Sequence, residues 1–374
     1  MRIAINGLFW PLPNVGSGQY LHELLPALAR LAPEDEYTLA LVGDTPGKTA
    51  PAKIIFWRPP FGRGPDDDVA KTWFEQVVFP HLARDADLAH VPYFAPPLRP
   101  SVPTVVTVHD IIPLVLPAYR GFGLARLYFR LVAAALPRAS HVIADSEHSR
   151  QDVLARFRLP PQRVTTVRLA AAERFRPAPP DAIHRARACY NLPDEYILYM
   201  GGYDVRKDVA TLMAAYKVLQ RSGFKVALVC AGGLPRQDNT VTPDPRRLAE
   251  LLGVSVHFPG FIADEDQPAL LSGAQAFVFP SRYEGFGLPP LEAMACGVPT
   301  IVADASSLPE VVGDAALLFP PGNAEALVDT LRRLLGDAEL QDDLRIRGLA
   351  RAAKFTWERV ARETQAVYKE HIHV

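Results

Sequence analysis

The chain has 374 residues, which is long for a single hydrophobic core and comfortable for two domains. Its 40 lysines and arginines almost balance 41 aspartates and glutamates, which argues against nucleic acid as the main partner. The three cysteines show no disulfide or metal spacing, and no stretch approaches the roughly 18 apolar residues of a membrane-spanning helix. We therefore expect a cytoplasmic protein, either free or resting on the inner face of the membrane.

Short apolar runs alternate with helical patterns along the chain, which is typical of parallel α/β architecture. In the first half the predicted strands are RIAIN, YTLALVG, KIIFW, LAHVP, TVVTVH, HVIADS and RVTTVRL. Leucines at helical spacing follow the first strand, and Pro26 falls inside that helix. In the second half the predicted strands are YILYMGG, KVALVCAGG, VSVHFPGF, AFVFPS and PTIVAD.

The domain boundaries are predicted from a break in this alternation. Residues 171–193 carry four prolines among charged residues, and we interpret them as an interdomain linker. Residues 1–170 would then form an N-terminal Rossmann-like domain and residues 194–354 a C-terminal one. A last helix is expected over about 355–374, after the second domain is complete.

The chain after the first strand contains Gly16, Ser17 and Gly18, which we expect to form a flexible loop that a phosphate or an acceptor can approach closely. A dinucleotide-binding G-x-G-x-x-G motif would need a glycine where this chain has Leu21. The loop therefore argues against a nicotinamide-dependent dehydrogenase.

Positive charge is concentrated between Ala118 and Tyr190, a stretch that contains thirteen arginines and only five acids. Arg126, Arg130 and Arg138 accompany the apolar stretch LYFRLVAAALP. This region could contact anionic lipid or a phosphorylated acceptor, or it could be a solvated helix face balanced by acids elsewhere. The sequence favours the second interpretation.

The segment SRYEGFGLPPLEAMACGVP, at residues 281–299, is the most informative in the chain. Glu284 and Glu292 bracket a glycine-rich turn between an apolar strand and a helix. Backbone N–H groups at such a turn suit a phosphate or a sugar hydroxyl, whereas carboxylates repel phosphates and accept hydrogen bonds from hydroxyls. Phosphate binding by the turn together with hydroxyl binding by the two glutamates indicates that the ligand is a nucleotide sugar. A strand–loop–helix unit with incidental surface acids is the alternative.

This segment resembles the two-glutamate donor motif of the retaining glycosyltransferases of family 4, which have two facing Rossmann-like domains with a cleft between them (the GT-B fold). In that family the first glutamate and the turn contact the transferred sugar, and the second glutamate holds the ribose. The resemblance implies an acceptor-side N-terminal domain, a nucleotide-sugar-binding C-terminal domain and a last helix that crosses back onto the first. The resemblance implies a catalytic role for Glu284, and the donor-binding residues that it implies are Gly285, Phe286, Gly287, Leu288 and Glu292.

A basic pair lies in GGYDVRKDV, at residues 201–209, where Arg206 and Lys207 stand near the start of a helix. The family holds the diphosphate with an arginine and a lysine near this turn, and its common variant has asparagine where this chain has Asp208. That difference leaves open whether Arg206 or Lys207 contributes more to holding the diphosphate. A solvent-exposed basic pair is the alternative.

His109 and Asp110 close the strand TVVTVH at its carboxyl end, where ligand sites of α/β proteins gather. The family places a histidine here beside the reacting face of the donor sugar, so we predict a catalytic role for His109. Asp110 would take part in the site, orient the histidine or cap the next turn.

Phe261 and Ile262 match the position where the family seats the nucleobase, with ordinary core packing as the alternative. Ser146 and Ser149 look like a family feature, but we assign them first to helix capping.

These motifs predict an enzyme that moves a hexose from a nucleoside diphosphate sugar to a hydroxyl of a glycan or lipid-linked acceptor, with retention implied by the resemblance. No cofactor is expected. No metal is expected either, because the acidic run DDD at 66–68 lies in a Pro/Gly-rich loop of the other domain. VHDIIPL and GGYDVRKDV look most like the mannosyl-transferring members that build bacterial surface polysaccharides. GDP-mannose is therefore the expected donor, and a UDP-hexose is the alternative.

Other functions remain open. A sugar-nucleotide epimerase or a glycan phosphorylase could share the fold, although the sequence does not flag the lysine that a pyridoxal-dependent phosphorylase needs. A non-enzymatic sugar-nucleotide sensor could dispense with His109. No obvious carboxylate nucleophile is present, which favours attack from the leaving-group face over a covalent intermediate.

Overall fold

The computed structural model describes residues 1–43, 49–59, 68–120 and 123–372. The chain forms two compact units, the first made of Met1–Leu169 with Thr356–Val374 and the second of Ala170–Phe355. Of the acidic run at 66–68, only Asp68 is among the described residues, and it begins a helix. None of the helices formed by the described residues has both the length and the apolar character needed to cross a membrane.

The first unit is built on a seven-stranded parallel sheet with the strand order β3-β2-β1-β4-β5-β6-β7. The strands β4, β5 and β6 are buried at every position, as expected for a parallel sheet covered on both faces. All seven strands predicted for this half are confirmed. They are β1 (Arg2–Asn6), β2 (Glu36–Val42), β3 (Lys53–Trp57), β4 (Leu88–Val91), β5 (Thr104–Val108), β6 (His141–Ala144) and β7 (Val164–Thr166).

Helices cover this sheet. The first one buries Leu21, Leu24 and Leu28, as their helical spacing predicts. A π-helical turn, Phe74–Val78, separates the second helix from the third. The helices are α1 (Gly16–Leu31), α2 (Asp68–Trp73), α3 (Phe79–Ala83), α4 (Ile112–Val115), α5 (Leu124–Ala135) and α6 (Glu147–Phe157).

The start of α1 corrects the prediction of a flexible loop at Gly16, Ser17 and Gly18. Gly16 is the first residue of α1, so all three residues belong to its first turn. A Cβ on Gly18 would lie 2.0 Å from the carbonyl oxygen of Leu12. Glycine is therefore required there by the close approach of the preceding turn, not by flexibility.

The second unit contains a six-stranded parallel sheet with the strand order β10-β9-β8-β11-β12-β13. The five strands predicted for this half are confirmed, and the sixth, β13, was not predicted. The strands are β8 (Tyr196–Met200), β9 (Ala227–Ala231), β10 (Val256–Gly260), β11 (Ala276–Phe279), β12 (Thr300–Ala303) and β13 (Leu317–Phe319).

The helices of the second unit are α7 (Pro180–Tyr190), α8 (Val209–Arg221), α9 (Pro245–Leu252), α10 (Gln267–Ser272), α11 (Leu288–Ala295), α12 (Leu308–Val312), α13 (Ala324–Leu335) and α14 (Ala338–Ala352). The interpretation of residues 171–193 as a linker is wrong for α7. This helix packs on α10, and the hydroxyl of Tyr190 donates to Asp266 at 2.8 Å. Pro180 is tolerated because it occupies the first helical turn.

The last helix, α15 (Trp357–His371), belongs to the first unit and packs along α1. The hydroxyl of Tyr368 lies 2.7 Å from Nδ1 of His90, which is fully buried in β4. The amide of Gln365 donates to Asp35 at 3.2 Å. The carboxyl-terminal helix is thus part of the first unit's core.

Candidate functional site

The site of the second unit lies where its strand order reverses, between β8 and β11. Doubly wound sheets bind ligands at this point because the loops that follow the two strands diverge there. The loop after β8 carries Arg206 and Lys207, and the loop after β11 carries Glu284. Oε1 of Glu284 lies 2.7 Å from Nζ of Lys207 and 2.9 Å from Nη1 of Arg206. The structure thus brings together the basic pair and the first glutamate of the motif.

Further hydrogen bonds fix this cluster. The hydroxyl of Ser281 donates to the same Oε1 at 2.6 Å, and the backbone N–H of Glu284 donates to the hydroxyl of Ser306 at 2.9 Å. Nε of Arg206 lies 3.1 Å from Asp204. Since the side chain of Glu284 is only 12% exposed, the charges are held in fixed positions before any ligand arrives.

The ionisation of Glu284 follows from these neighbours. Burial opposes the charged carboxylate, but the charges of Lys207 and Arg206 outweigh burial and lower its pKa. The cluster at neutral pH therefore contains an ionised glutamate between two cations.

Asp208, where the resembled family commonly has asparagine, faces a different partner. Its backbone has a φ of 50°, a left-handed conformation that Asn and Asp tolerate better than most residues. Its Oδ2 accepts hydrogen bonds from Arg282 and from Thr211, both at 2.8 Å. The negative charge that Asp208 has and an asparagine would lack is therefore paired with Arg282.

The turn before α11 depends on glycine and serine. Gly287 has a φ of 120°, and a Cβ there would lie 2.9 Å from the side chain of Leu308. The hydroxyl of Ser307 lies 3.0 and 2.5 Å from the carbonyl oxygens of Glu284 and Phe286. The ring of Phe286 is buried against Phe355, so a contact from Phe286 to a donor would come from its backbone.

Glu292 is the second glutamate of the motif and lies within α11, with 9% of its surface exposed. Burial raises its pKa to about 7, and the positive charge of Arg174 only partly opposes this effect. Asp264 raises the pKa further. Glu292 can thus gain or lose a proton near neutral pH, in contrast to Glu284.

The two residues predicted to contact the base differ in exposure. Phe261 directly follows β10 and is 60% exposed, whereas Ile262 is 3% exposed and packs in the core. A free aromatic surface is thus present at Phe261. Base binding by either residue stays a prediction.

His109 of the first unit follows β5, and both of its ring nitrogens face oxygen atoms. Nδ1 lies 2.7 Å from Oδ2 of Asp145, and Nε2 lies 3.1 Å from the carbonyl oxygen of Pro92. The carbonyl oxygen of Pro92 only accepts hydrogen bonds, so Nε2 donates to it, and the carboxylate of Asp145 favours a second proton on Nδ1, which makes the ring positive. Burial opposes this charge, but Asp145 outweighs burial and raises the pKa of His109.

Asp145 was missed as a site residue at the sequence level. It directly follows β6, the strand next to β5, so the carboxyl ends of both strands bring it beside His109. The sequence signal that could have found it is its position, since Asp145 directly follows the apolar run of a predicted strand. Ser146 next to it caps α6 by accepting from the N–H of Ser149 at 3.0 Å, which confirms the capping assignment for Ser146. The hydroxyl of Ser149 instead lies 3.5 Å from the carbonyl oxygen of His109.

Asp110 caps the turn that follows it. Its Oδ1 accepts a hydrogen bond from the backbone N–H of Ile112 at 3.0 Å, at the start of α4. This arrangement corresponds to one of the roles considered for Asp110. Its charge also contributes to the raised pKa of His109.

A cavity of about 690 Å³ opens in the first unit, and its lining includes Ser17, His109 and Asp110. Such a volume is in the range of about 300–1,000 Å³ found for small-molecule pockets. The structure thus brings the start of α1 and the end of β5 to one cavity. Within the described ranges, no group of three or more His, Cys, Asp or Glu side chains is arranged to hold a metal ion, and independence from metal stays a prediction.

Comparisons with family models match both halves of the chain. Residues 15–170 match the model described as Glycosyltransferase Family 4, and residues 183–351 match the model described as Glycosyl transferases group 1. Each match covers most of one structural unit.

Curated relatives are similar over about 70% of the chain. The O-antigen chain mannosyltransferase B of Escherichia coli is 33% identical over 270 residues, which are 71% of this chain and 70% of that protein. The serotype-specific mannosyltransferase WbdA of Escherichia coli is 34% identical over 269 residues. These are 69% of this chain but only 32% of WbdA, so the chain spans about a third of that relative.

Solved structures match nearly the whole chain. Sucrose-phosphate synthase from Thermosynechococcus elongatus aligns with a TM-score of 0.76 and 24% identity over 99% of this chain and 98% of that one. HepE from Anabaena, in complex with UDP-glucose, aligns with a TM-score of 0.75 and 16% identity over 99% of this chain and 100% of that one. The predicted GT-B fold is confirmed.

Proposed function

The chain belongs to the family 4 glycosyltransferases, and we propose that it transfers mannose from GDP-mannose to a hydroxyl of a surface polysaccharide under construction. The main observation behind this proposal is the cluster of Arg206, Lys207 and Glu284 at the point where the strand order of the second unit reverses. Two cations and a carboxylate at this place suit a diphosphate next to a sugar hydroxyl. The similarity to two mannosyltransferases supports mannose as the sugar.

The proposed chemistry concentrates on the departing diphosphate. Negative charge builds on this group as the bond to the sugar breaks, and Arg206 and Lys207 are fixed in place to stabilise it. Glu284 would accept a hydrogen bond from a hydroxyl of the transferred sugar, and Glu292 from the ribose. We also propose a catalytic role for His109, whose ring nitrogens face Asp145 and the carbonyl oxygen of Pro92.

The surroundings of Glu284 favour attack from the leaving-group face with retention of configuration. Lys207, Arg206 and Ser281 all approach one oxygen of its carboxylate. A carboxylate with a lowered pKa and three such neighbours is a weak nucleophile. A covalent intermediate on Glu284 is therefore disfavoured, and Glu284 instead positions the sugar.

We propose a glycan or lipid-linked acceptor and a reaction at the cytoplasmic face of the membrane, without metal or other cofactor. The basic residues of α5 support contact with anionic lipid. A UDP-hexose-dependent transferase remains the second candidate.

The decisive experiment incubates the purified protein with GDP-mannose, UDP-glucose, UDP-galactose or dTDP-glucose, with and without mannose-terminated acceptors. We expect transfer from GDP-mannose alone, with the α configuration retained in the product by NMR. A thermal shift provides the matching binding test, because a ligand at about 100 times its Kd adds about 2.7 kcal/mol of stability. Transfer and stabilisation with UDP compounds alone would overturn the choice of donor.

A further inference from the structure

The ring of His109 is held at its two nitrogens, by Asp145 and by the carbonyl oxygen of Pro92. Two hydrogen bonds in the plane of the ring still allow it to tilt about the line that joins the two acceptors. The ring of Tyr20 limits this motion, because its centroid lies 4.9 Å from that of the imidazole with an angle of 73° between the two planes. This edge-to-face contact is a third restraint on the ring, and it comes from α1.

Tyr20 is itself fixed by two neighbours. It is 2% exposed, and its hydroxyl lies 3.1 Å from Oγ1 of Thr107, a buried residue of β5 two positions before His109. Its ring centroid also lies 6.1 Å from that of Trp357, the first residue of α15. A buried phenol with a hydrogen bond and rings beside it has little freedom to change its rotamer.

The hydrogen bond of Tyr20 is one end of a buried chain. Nε2 of His90 lies 2.8 Å from the same Oγ1 of Thr107. Nδ1 of His90 lies 2.7 Å from the hydroxyl of Tyr368, near the end of α15. None of these four side chains belongs to a residue more than 2% exposed. The chain therefore joins α15 to α1 through the neighbouring strands β4 and β5.

The surroundings also fix the direction of these hydrogen bonds. Burial, and after it the positive charge of His109, lowers the pKa of His90 to about 3, so this ring is neutral near neutral pH and carries one proton. Burial raises the pKa of Tyr368, so its hydroxyl keeps its proton. Within the described ranges Nδ1 of His90 is the one hydrogen-bond partner of that hydroxyl, so Tyr368 donates to Nδ1. Nε2 then carries the ring proton and donates to Thr107.

We propose that Tyr20 is a positioning residue for His109. The helix α15 holds Tyr20 in place through the hydrogen-bond chain of Tyr368, His90 and Thr107. This inference rests on the catalytic role proposed for His109 and adds the residues that orient its ring. It gives the carboxyl-terminal helix a part in the reaction besides completing the core of the first unit.

The first test measures transfer from GDP-mannose in variants of Tyr20. Tyr20→Leu removes the ring contact and should lower kcat about tenfold or more, because small displacements near the reacting atoms can cost about 100-fold. Tyr20→Phe keeps the ring but loses the bond to Thr107, so it should lower kcat only about threefold. The KM for the donor and the Kd for GDP should change less than about twofold, since the proposed donor contacts lie in the second unit. A kcat of Tyr20→Leu within about twofold of the natural protein would overturn the proposal.

The second test asks whether Tyr20 and Tyr368 act through one chain. Tyr368→Phe should lower kcat about as much as Tyr20→Phe, and the double variant should be no slower than the slower single variant, whereas independent effects multiply. Tyr196→Phe is the matched control, because Tyr196 is fully buried in β8 of the second unit and its hydroxyl donates to the carbonyl oxygen of Leu270 at 2.6 Å. It should lose similar stability in thermal unfolding and retain its kcat. Multiplying effects in the double variant would overturn the role of α15.

NMR of the protein labelled with ¹⁵N-histidine tests the chain independently of transfer. The signals of His90 should have the pattern of a neutral ring protonated at Nε2. Tyr368→Phe should change the signals of His90 and, through the chain, those of His109, whereas Tyr196→Phe should change neither. Unchanged His109 signals in Tyr368→Phe would overturn the proposal. The expected NMR changes in a protein that transfers no sugar from any of the nucleotide sugars would instead overturn the proposed function and leave the chain in place.

Discussion

Lys207 and Glu284 form a 2.7 Å ion pair across 77 residues of sequence, between loops that follow two neighbouring strands. Both side chains are largely buried, at 11% and 12% exposure. Neither residue is therefore an incidental surface charge, and changes at the two positions should have distinct consequences.

Replacing Lys207 by Met should remove one positive charge from the departing diphosphate while keeping a side chain of similar length. We expect kcat to fall about 100-fold, equivalent to about 3 kcal/mol of lost stabilisation. Steady-state kinetics with the identified donor would measure this. Arg221→Met, on α8 away from the cluster, is a control that should retain activity. A kcat within twofold of the natural protein would exclude the proposed role of Lys207.

Replacing Glu284 by Gln should impair transfer and leave the binding of free nucleotide nearly unchanged, because its proposed partner lies on the sugar. The change also leaves two cations without their carboxylate, and breaking a buried pair costs about 3–5 kcal/mol. Calorimetry with GDP and thermal unfolding separate the two effects. A large loss of GDP affinity in a folded variant would contradict this assignment.

Replacing Glu292 by Ala should remove charge-assisted hydrogen bonds to the ribose and weaken nucleotide binding by about 1.5–3 kcal/mol. Calorimetry with GDP and UDP would measure the loss. Unchanged affinity for both nucleotides would show that Glu292 does not contact the ribose.

The pH dependence of nucleotide binding should also follow Glu292. Its pKa is raised to about 7 in the folded protein from an ordinary 4.5, and only the ionised form accepts both ribose hydroxyls. Affinity should therefore decrease as the pH falls from 8 to 6, approaching tenfold per pH unit below about 7. Glu292→Gln should remove this pH dependence of the nucleotide affinity. If the affinity of that variant depended equally steeply on pH, the titrating group would be the phosphate of the nucleotide instead.

The same raised pKa has the opposite consequence for stability. The folded protein holds the proton of Glu292 more tightly than the unfolded chain does, so this group favours folding at low pH. That contribution is lost as the pH rises from about 4.5 to about 7. Thermal unfolding of Glu292→Gln should lack this component.

Asp145→Asn should lower the pKa of His109, because it removes the carboxylate that outweighs burial. His109 stabilises the folded state below its unfolded pKa, and this contribution is lost as the pH rises through the folded value. The variant should lose most of this contribution, because only Asp110 and the carbonyl of Pro92 then oppose burial. An NMR titration of His109 would detect the shift, and an unchanged titration midpoint would contradict the coupling.

Gly18→Ala should destabilise the first unit by about 1–3 kcal/mol, because the new methyl group would meet the backbone of Leu12. Gly16→Ala is the matched control, since a Cβ there meets nothing within 4 Å. It should be neutral or stabilising by up to about 1 kcal/mol in its helix. Chemical denaturation of the two variants would measure the difference, and equal stabilities would refute the steric argument.

Of the thirteen strands in the described part of the chain, twelve were predicted from the sequence, most readily where parallel strands buried on both faces appear as continuous apolar runs. β13 has only three residues, and Leu318 within it is 40% exposed, so it lacks this signal. The residues 171–193 look irregular because prolines are frequent there. Only the position of Pro180 in the first turn of α7 makes a helix possible.

The candidate site was predicted where a motif is contiguous and missed where contacts are long-range. Arg206, Lys207 and Glu284 were found through their motifs. Asp145 lies 36 residues from His109, and Arg174 far from Glu292, so sheet order and packing rather than local spacing bring them near each other. The pKa values of the two glutamates differ for the same reason, since the identity and distance of their cationic neighbours depend on the fold.

The position of α15 makes the first unit discontinuous in sequence, and this has a consequence during synthesis. Residues 170–355 are contiguous, so the second unit can fold as soon as they have left the ribosome. The buried His90 of the first unit obtains its partner Tyr368 only when α15 emerges, after the whole of the second unit. The first unit therefore begins synthesis before the second and is completed after it, and in the interval its surface for α15 lacks that helix.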